Sequence, residues 1–345
     1  MHQLAATLRL WDLQHYVDNA GLSFLPRGYD ADEVVLPAEL YAAATDEDGT
    51  FHPISVEKIT SKYCPTRRDL YLERGMGPRR DGRKTWGRVA GHLIEQYLKG
   101  VMPFERKGSL RERASTYDRV AWLADEYSEE FWGRHSTRLR ALGGLAEYPQ
   151  EDPDRLRFLL KQSARFELAM LHLDRALSME RRGPVSRLLR LIWPSRPEPE
   201  GPAIATAPED LRISPSPYLG LGDAATPDFL VREPLFCIGE VKTGERLQDF
   251  HLLAVTGYAL AYENQHNRDV NVGAVYFFQT HVWQMSFPQV YVFLIDDNRR
   301  RAFFDARNEA YSVLESDEPP GLAPDYEKHC RHCRFNNVCY PRNDS

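Results

Sequence analysis

The chain has 345 residues, of which 42% are hydrophobic, 27% charged and 11% aromatic. That suffices for one large or two small cores, and so many aromatic side chains exclude a wholly disordered chain. No apolar run has the length of a membrane helix, residues 1–10 lack a secretory leader's basic and apolar segments, and a net charge of −6 does not advertise nucleic-acid binding, so a cytoplasmic protein is expected.

Residues 1–50 mix short apolar stretches with acidic turns and read as an accessory segment. From Ile54 the pattern sharpens, with Val56, Ile59 and Tyr63 at helical spacing until Cys64-Pro65 stops the helix. A second helix is predicted over 66–74, a Gly/Arg-rich loop over 75–84 and a third helix over 86–98. Residues 103–195 read as long helices: Val120, Leu123, Tyr127 and Phe131 repeat at helical spacing, as do Leu156, Leu159, Leu160, Phe166, Leu168 and Leu171. A Pro/Glu/Ala-rich linker follows over 194–208.

Strand signals come next. Phe229–Val231 and Leu235–Val241 are apolar runs joined by Arg232-Glu233-Pro234, the pattern of a hairpin. Residues 271–279 and 290–295 are two more predicted strands, and 248–263 is a helix between the hairpin and the first of them. From Pro319 on the chain has loop character and carries three cysteines. Strands interleaved with helices predict an α/β domain. The expected division is 1–50, 51–102, a helical insertion and linker over 103–212, a core over 213–318 and a cysteine module over 319–345.

Asp228 precedes the first strand of the hairpin, and Glu240-Val241-Lys242 lies in the second. Side chains alternate along a strand, so Glu240 and Lys242 share a face, about 7 Å apart. Two acids can then converge on one hard cation such as Mg2+ or Mn2+, with an ammonium beside it, an arrangement suited to activating water against a phosphodiester. Asp…Glu-x-Lys also occurs on charged surface strands. Here the apolar run Phe236-Cys237-Ile238-Gly239 implies burial, and a buried charge needs a partner or a metal. Upstream, His92 and Glu95 share a helix face.

Five cysteines in a long chain argue against a disulfide framework. Cys330-x2-Cys333-x5-Cys339 with the distant Cys64 suits one metal centre. On spacing alone zinc and iron–sulfur stand level, and His329 and His332 could complete a zinc site without Cys64. Cys237 alternates away from Glu240 and reads as core. Arg67, Arg68, Arg74, Arg79, Arg80, Arg83, Lys84 and Arg88 form a basic stretch suited to a DNA backbone or to a solvated surface. Trp86 and Tyr71 could stack bases or pack in a core. Gly77-x4-Gly82-Arg83-Lys84-Thr85 nearly matches a phosphate-binding loop, but the lysine is one place late and no strand precedes it.

Helix His, then Asp, then Glu-x-Lys resembles the RecB-like branch of the PD-(D/E)XK nucleases. The resemblance implies His92, Asp228 and Glu240 as metal ligands, Lys242 as the catalytic lysine and Tyr258 on the following helix. Asp223 is the second choice for the first acid. Ala254 stands where the family usually has Gln, so Gln248 or His251 would substitute. One cysteine before the core and three after it resemble the iron-staple nucleases, which implies a 4Fe-4S cluster on Cys64, Cys330, Cys333 and Cys339.

The stretch 60–72, with its Cys-Pro and basic residues, is most similar to the CRISPR-associated exonucleases. The resemblance covers about residues 54–102 and 218–341. The implied fold is a central mixed sheet flanked by helices, enlarged by the insertion. The implied activity is metal-dependent exonucleolytic hydrolysis of single-stranded DNA or overhangs, trimming prespacers in CRISPR adaptation alongside the integrase subunits. A repair or recombination nuclease serving a separate helicase, and a catalytically weak DNA-binding scaffold, are the competing readings.

Overall fold

The computed structural model describes residues 31–76, 122 and 124–134, isolated positions within 158–169, 204–205, 212–231, 236–279, 289–325 and parts of 330–341, with single gaps inside these ranges. The elements in chain order are α1 (Ala31–Val34), α2 (Ala38–Ala43), α3 (Val56–Thr60), α4 (Arg68–Met76), β1 (Ile204–Ala205), β2 (Phe229–Val231), β3 (Cys237–Gly244), α5 (Asp249–His266), β4 (Val272–Gln279), β5 (Gln289–Leu294), α6 (Asp297–Glu315) and α7 (Asn336–Cys339). The strands form one mixed sheet in the order β1-β2-β3-β4-β5. Only β3 and β4 run parallel, and α5 is the crossover between them. The expected α/β architecture is therefore present.

The predicted hairpin pairs Phe229 with Gly239, Leu230 with Ile238 and Val231 with Cys237. Its second strand runs further than expected, to Gly244, because parallel pairing with β4 continues as far as Gln279. Gly239 is required by close approach: a Cβ there would lie 2.2 Å from the Phe229 ring. Cys237 is fully buried, as its alternation predicts, and burial pushes its thiol well up.

Helices α3, α5 and α6 pack together against the sheet. Their contact depends on Gly257, where a Cβ would meet Phe303 at 2.4 Å and Val56 at 2.8 Å. Val56, Ile59, Val255, Ala259, Phe303 and Tyr311 fill the core between them. Residues read as an accessory segment join the same core through Leu36 and Leu40. In the expected helical insertion, residues 124–134 are helical, and Tyr127 and Phe131 are buried on one face.

Two arginines are wholly buried on α6. Arg307 donates to the backbone carbonyls of Glu33, Val34, Val35 and Leu219, tying the N-terminal segment to the core. Arg300 pairs in a bidentate manner with Glu263 of α5 and donates to the carbonyls of Val270 (3.1 Å) and Ile295 (3.3 Å). Removing one member of a buried ion pair strands the other charge. Glu263→Ala is therefore expected to destabilise the chain by about 3 kcal/mol or more in urea denaturation. A loss below about 1 kcal/mol would show that the pair is not desolvated in solution.

Candidate active site and four-cysteine pocket

Strand alternation places Glu240 and Lys242 on the sheet face that α5 covers. Glu240 is 3% exposed. Its Oε1 accepts from the Lys242 ammonium and from the Tyr258 hydroxyl at 3.5 Å. Its Oε2 is buried with no hydrogen-bond partner among the described residues. Across the hairpin, Asp228 Oδ2 accepts from the Val241 amide at 2.7 Å, which pins this carboxylate beside the catalytic-type strand.

The electrostatics follow from burial. Desolvation lifts the Glu240 carboxyl above the usual range, and Lys242 opposes that lift. Burial works against the Lys242 charge, yet Glu240 holds its ammonium above the ordinary value. The Tyr258 phenol is pushed well above its usual value by burial and by the acids around it, Glu240, Glu57 and Asp228. An unpartnered buried carboxylate oxygen and a second carboxylate close by form a hard oxygen-donor pair that fits a divalent cation, with the Lys242 ammonium beside it.

His92, Glu95 and Asp223 lie outside the described residues, as do Trp86 and the basic positions from Arg79 to Arg88. Among the described residues, no three His, Cys, Asp or Glu side chains gather as a site for a single ion. Ala254, at the position where Gln was expected, is 4% exposed and packs in the core. Of the two proposed substitutes, Gln248 caps the helix, and its backbone amide donates to His251 Nδ1 at 3.2 Å. That bond places the ring proton on Nε2. His251 is buried, and desolvation together with the Lys242 charge holds its pKa down to about 4, so the ring is a neutral donor at neutral pH.

Glu57 was missed by sequence reading. Standing in the first turn of α3, it acts electrostatically on Glu240, Lys242 and Tyr258. Only the packing of α3 on α5 brings it there. No local signal sets it apart from the other surface acids.

Cys64, Cys330, Cys333 and Cys339 line one pocket together with Arg68, Asp69 and Tyr340. All four are free thiols. The Cys333 amide donates to the Cys330 carbonyl at 3.0 Å, and the Phe335 amide to Cys333 Sγ at 3.5 Å, so a tight turn presents two of the thiols. Burial and, more weakly, the Cys64 and Cys339 thiols raise both Cys330 and Cys333. Thiols that resist ionisation together become thiolates readily once a cation binds.

The loop after Cys64 is held by Arg67. Its backbone adopts a left-handed φ of 55°, its amide donates to the Cys64 carbonyl at 3.0 Å, and its buried guanidinium faces Glu309 at 3.2 Å. Such a backbone costs about 1 kcal/mol in a non-glycine residue, and the contact of the buried guanidinium with the half-exposed Glu309 helps to hold it in place.

Three arginines of the expected basic stretch have structural partners here. Arg68 and Arg74 donate to the carbonyls of Pro320 and Leu314, and Arg67 is internal. Tyr71 donates to the Asp317 carbonyl at 2.9 Å. These groups dock α4 onto the last turn of α6, where the Leu314 carbonyl has no helical partner, and onto the segment that follows it.

The family model described as "CRISPR-associated exonuclease Csa1" matches residues 209–342. That span holds Asp228, Glu240, Lys242, Tyr258 and three of the four cysteines. A protein of that same description from Saccharolobus solfataricus is 31% identical over 123 residues, covering 36% of this chain and 40% of the relative. The chain is thus similar to the CRISPR-associated exonuclease family over its β-rich C-terminal part. No helix among the described residues is long and apolar enough to cross a membrane.

Proposed function

We propose that this protein is a divalent-metal-dependent DNA exonuclease with a RecB-like core, stabilised by a 4Fe-4S cluster and acting on single-stranded ends during CRISPR adaptation. The observation that carries the reading is the buried Oε2 of Glu240, which has no hydrogen-bond partner among the described residues while Oε1 is held by Lys242. The similarity to CRISPR-associated exonucleases spans the same strands and supports the substrate class.

Asp228, Glu240 and, from outside the described residues, His92 would hold Mg2+ or Mn2+. When bound, such an ion supplies Lewis acidity and a water of lowered pKa. The chain's own groups do the positioning. Tyr258 donates to Glu240 Oε1 and so fixes the carboxylate's orientation. The Lys242 ammonium, kept charged by Glu240, stabilises negative charge developing on the phosphate. His251 offers a neutral N–H donor on the same helix as Tyr258.

Cys64, Cys330, Cys333 and Cys339 would hold the cluster. Their lining of one common pocket supports a shared metal centre, and the resemblance of the cysteine spacing to the iron-staple nucleases supports a cluster over a single zinc. Integrase subunits of the CRISPR system are the proposed partners.

The full chain, purified without oxygen, is expected to shorten end-labelled single-stranded DNA in Mn2+ or Mg2+ and to stop on chelation. Digestion that persists in EDTA, or none at all in either metal, would overturn the reading.

A further inference from the structure

We propose that Tyr63 and Phe250 form a stacking platform for an unpaired nucleobase at the mouth of the Glu240–Lys242 site, so that this surface selects single-stranded ends. The inference rests on the nuclease reading and specifies how its substrate is chosen.

Helical spacing of Val56, Ile59 and Tyr63 predicts three residues on one buried face. The first two are 2% and 0% exposed, whereas Tyr63 is 66% exposed. The reason is local: α3 ends at Thr60, and Ser61 turns the backbone to an extended conformation (φ −60°, ψ 127°). Tyr63 thus leaves the helix register and stands over the start of α5.

There its ring meets Phe250 edge-on, with centroids 5.1 Å apart and planes at 67°. Phe250 is half-buried in the first turn of α5 and meets His251 at 4.4 Å. The His251 ring in turn lies 6.1 Å from Phe277, which pairs in register with Lys242. Aromatic rings therefore run from solvent to the neighbour of the catalytic-type lysine. Tyr63 is the exposed end of that series, and Phe277, beside Lys242, is its inner end.

A single exposed tyrosine needs no explanation. An exposed ring edge-packed on a second ring and leading to a phosphodiester-type site is a surface on which a base can stack. Stacking of one base on an aromatic side chain is worth about 1–3 kcal/mol and tolerates any sequence. A duplex keeps its base faces occupied by neighbouring pairs, so it gains nothing from the platform.

The test is binding without turnover. The full-length Glu240→Gln chain is titrated, in Ca2+ buffer, against fluorescent oligo-dT and against a blunt duplex of equal length. Adding Tyr63→Ala or Phe250→Leu is expected to weaken oligo-dT binding by about 5- to 150-fold while leaving duplex binding within about twofold. Tyr63→Phe keeps the ring and is expected to bind like the parent.

Tyr63 adjoins Cys64, so Phe250→Leu, on a different element, decides the matter if the alanine variant misfolds. Unchanged oligo-dT binding in Phe250→Leu, or equal losses on both DNAs, would overturn the platform and leave the nuclease reading intact. A parent chain that binds neither DNA would remove both.

Discussion

Glu240→Gln is expected to lower the single-turnover rate of single-strand digestion by at least about 100- to 1,000-fold. The substitution keeps the side chain's shape and both hydrogen bonds at Oε1, but removes the charge that the buried Oε2 presents. Stability should change by no more than about 1–2 kcal/mol, because two effects oppose each other. Removing a carboxylate that burial already disfavours is a gain, and leaving the largely buried Lys242 without its anion is a loss. A variant within tenfold of the parent's rate, at an unchanged melting temperature, would remove Glu240 from the chemistry. Because burial raises the Glu240 carboxyl, protons compete with the cation for it, so the rate should fall as the pH is lowered and recover in part at higher Mn2+.

Cys64→Ala is expected to give a colourless chain with a melting temperature lower by about 10 °C or more. The pocket joins the loop after α3 to the C-terminal turn and α7, so a cluster there closes nearly the whole described chain into one loop. On a chain-entropy basis, a cross-link of that span is worth about 5 kcal/mol, and the binding free energy of the cluster adds to it. Cys333→Ala should behave alike, because its thiol also anchors the Phe335 amide. The measurements are the visible absorbance, the iron and sulfide content and the thermal melt. A colourless parent with one zinc per chain would overturn the iron–sulfur assignment, and an unchanged melt in both variants would overturn the clip.

Two features of this protein can be read along the chain because they depend on local periodicity. Alternation along a strand puts Glu240 and Lys242 on one face whatever the sheet does, and the antiparallel hairpin brings Asp228 to the Val241 amide. Cysteine spacing likewise foretells a shared pocket, since Cys330 and Cys333 are presented by a single turn.

Helix α6 was not legible in the same way. Its buried face runs through Arg300, Phe303, Arg307, Ala310 and Tyr311, and two arginines on that stripe erase the apolar pattern. They are tolerated because Glu263 and a set of backbone carbonyls, brought near only by the fold, satisfy every guanidinium that the stripe buries. The basic stretch shows the converse. Arg67, Arg68 and Arg74 read as a solvent or DNA surface until α6 and the segment after it supply a carboxylate and two carbonyls for them.

The surroundings of the site were decided at the same level. Tyr63 has helical spacing from Ile59 but stands in solvent, because the helix stops three residues earlier. Glu57 reaches Glu240 and Lys242 only through the packing of α3 on α5, and His251, unlike the core residue Ala254, is a polar group within reach of the Lys242 charge. A sequence carries the periodicity that selects faces within one element. Which charges are compensated, and which side chains from distant elements meet, is decided by desolvation and close packing, and these exist only once the layers have closed.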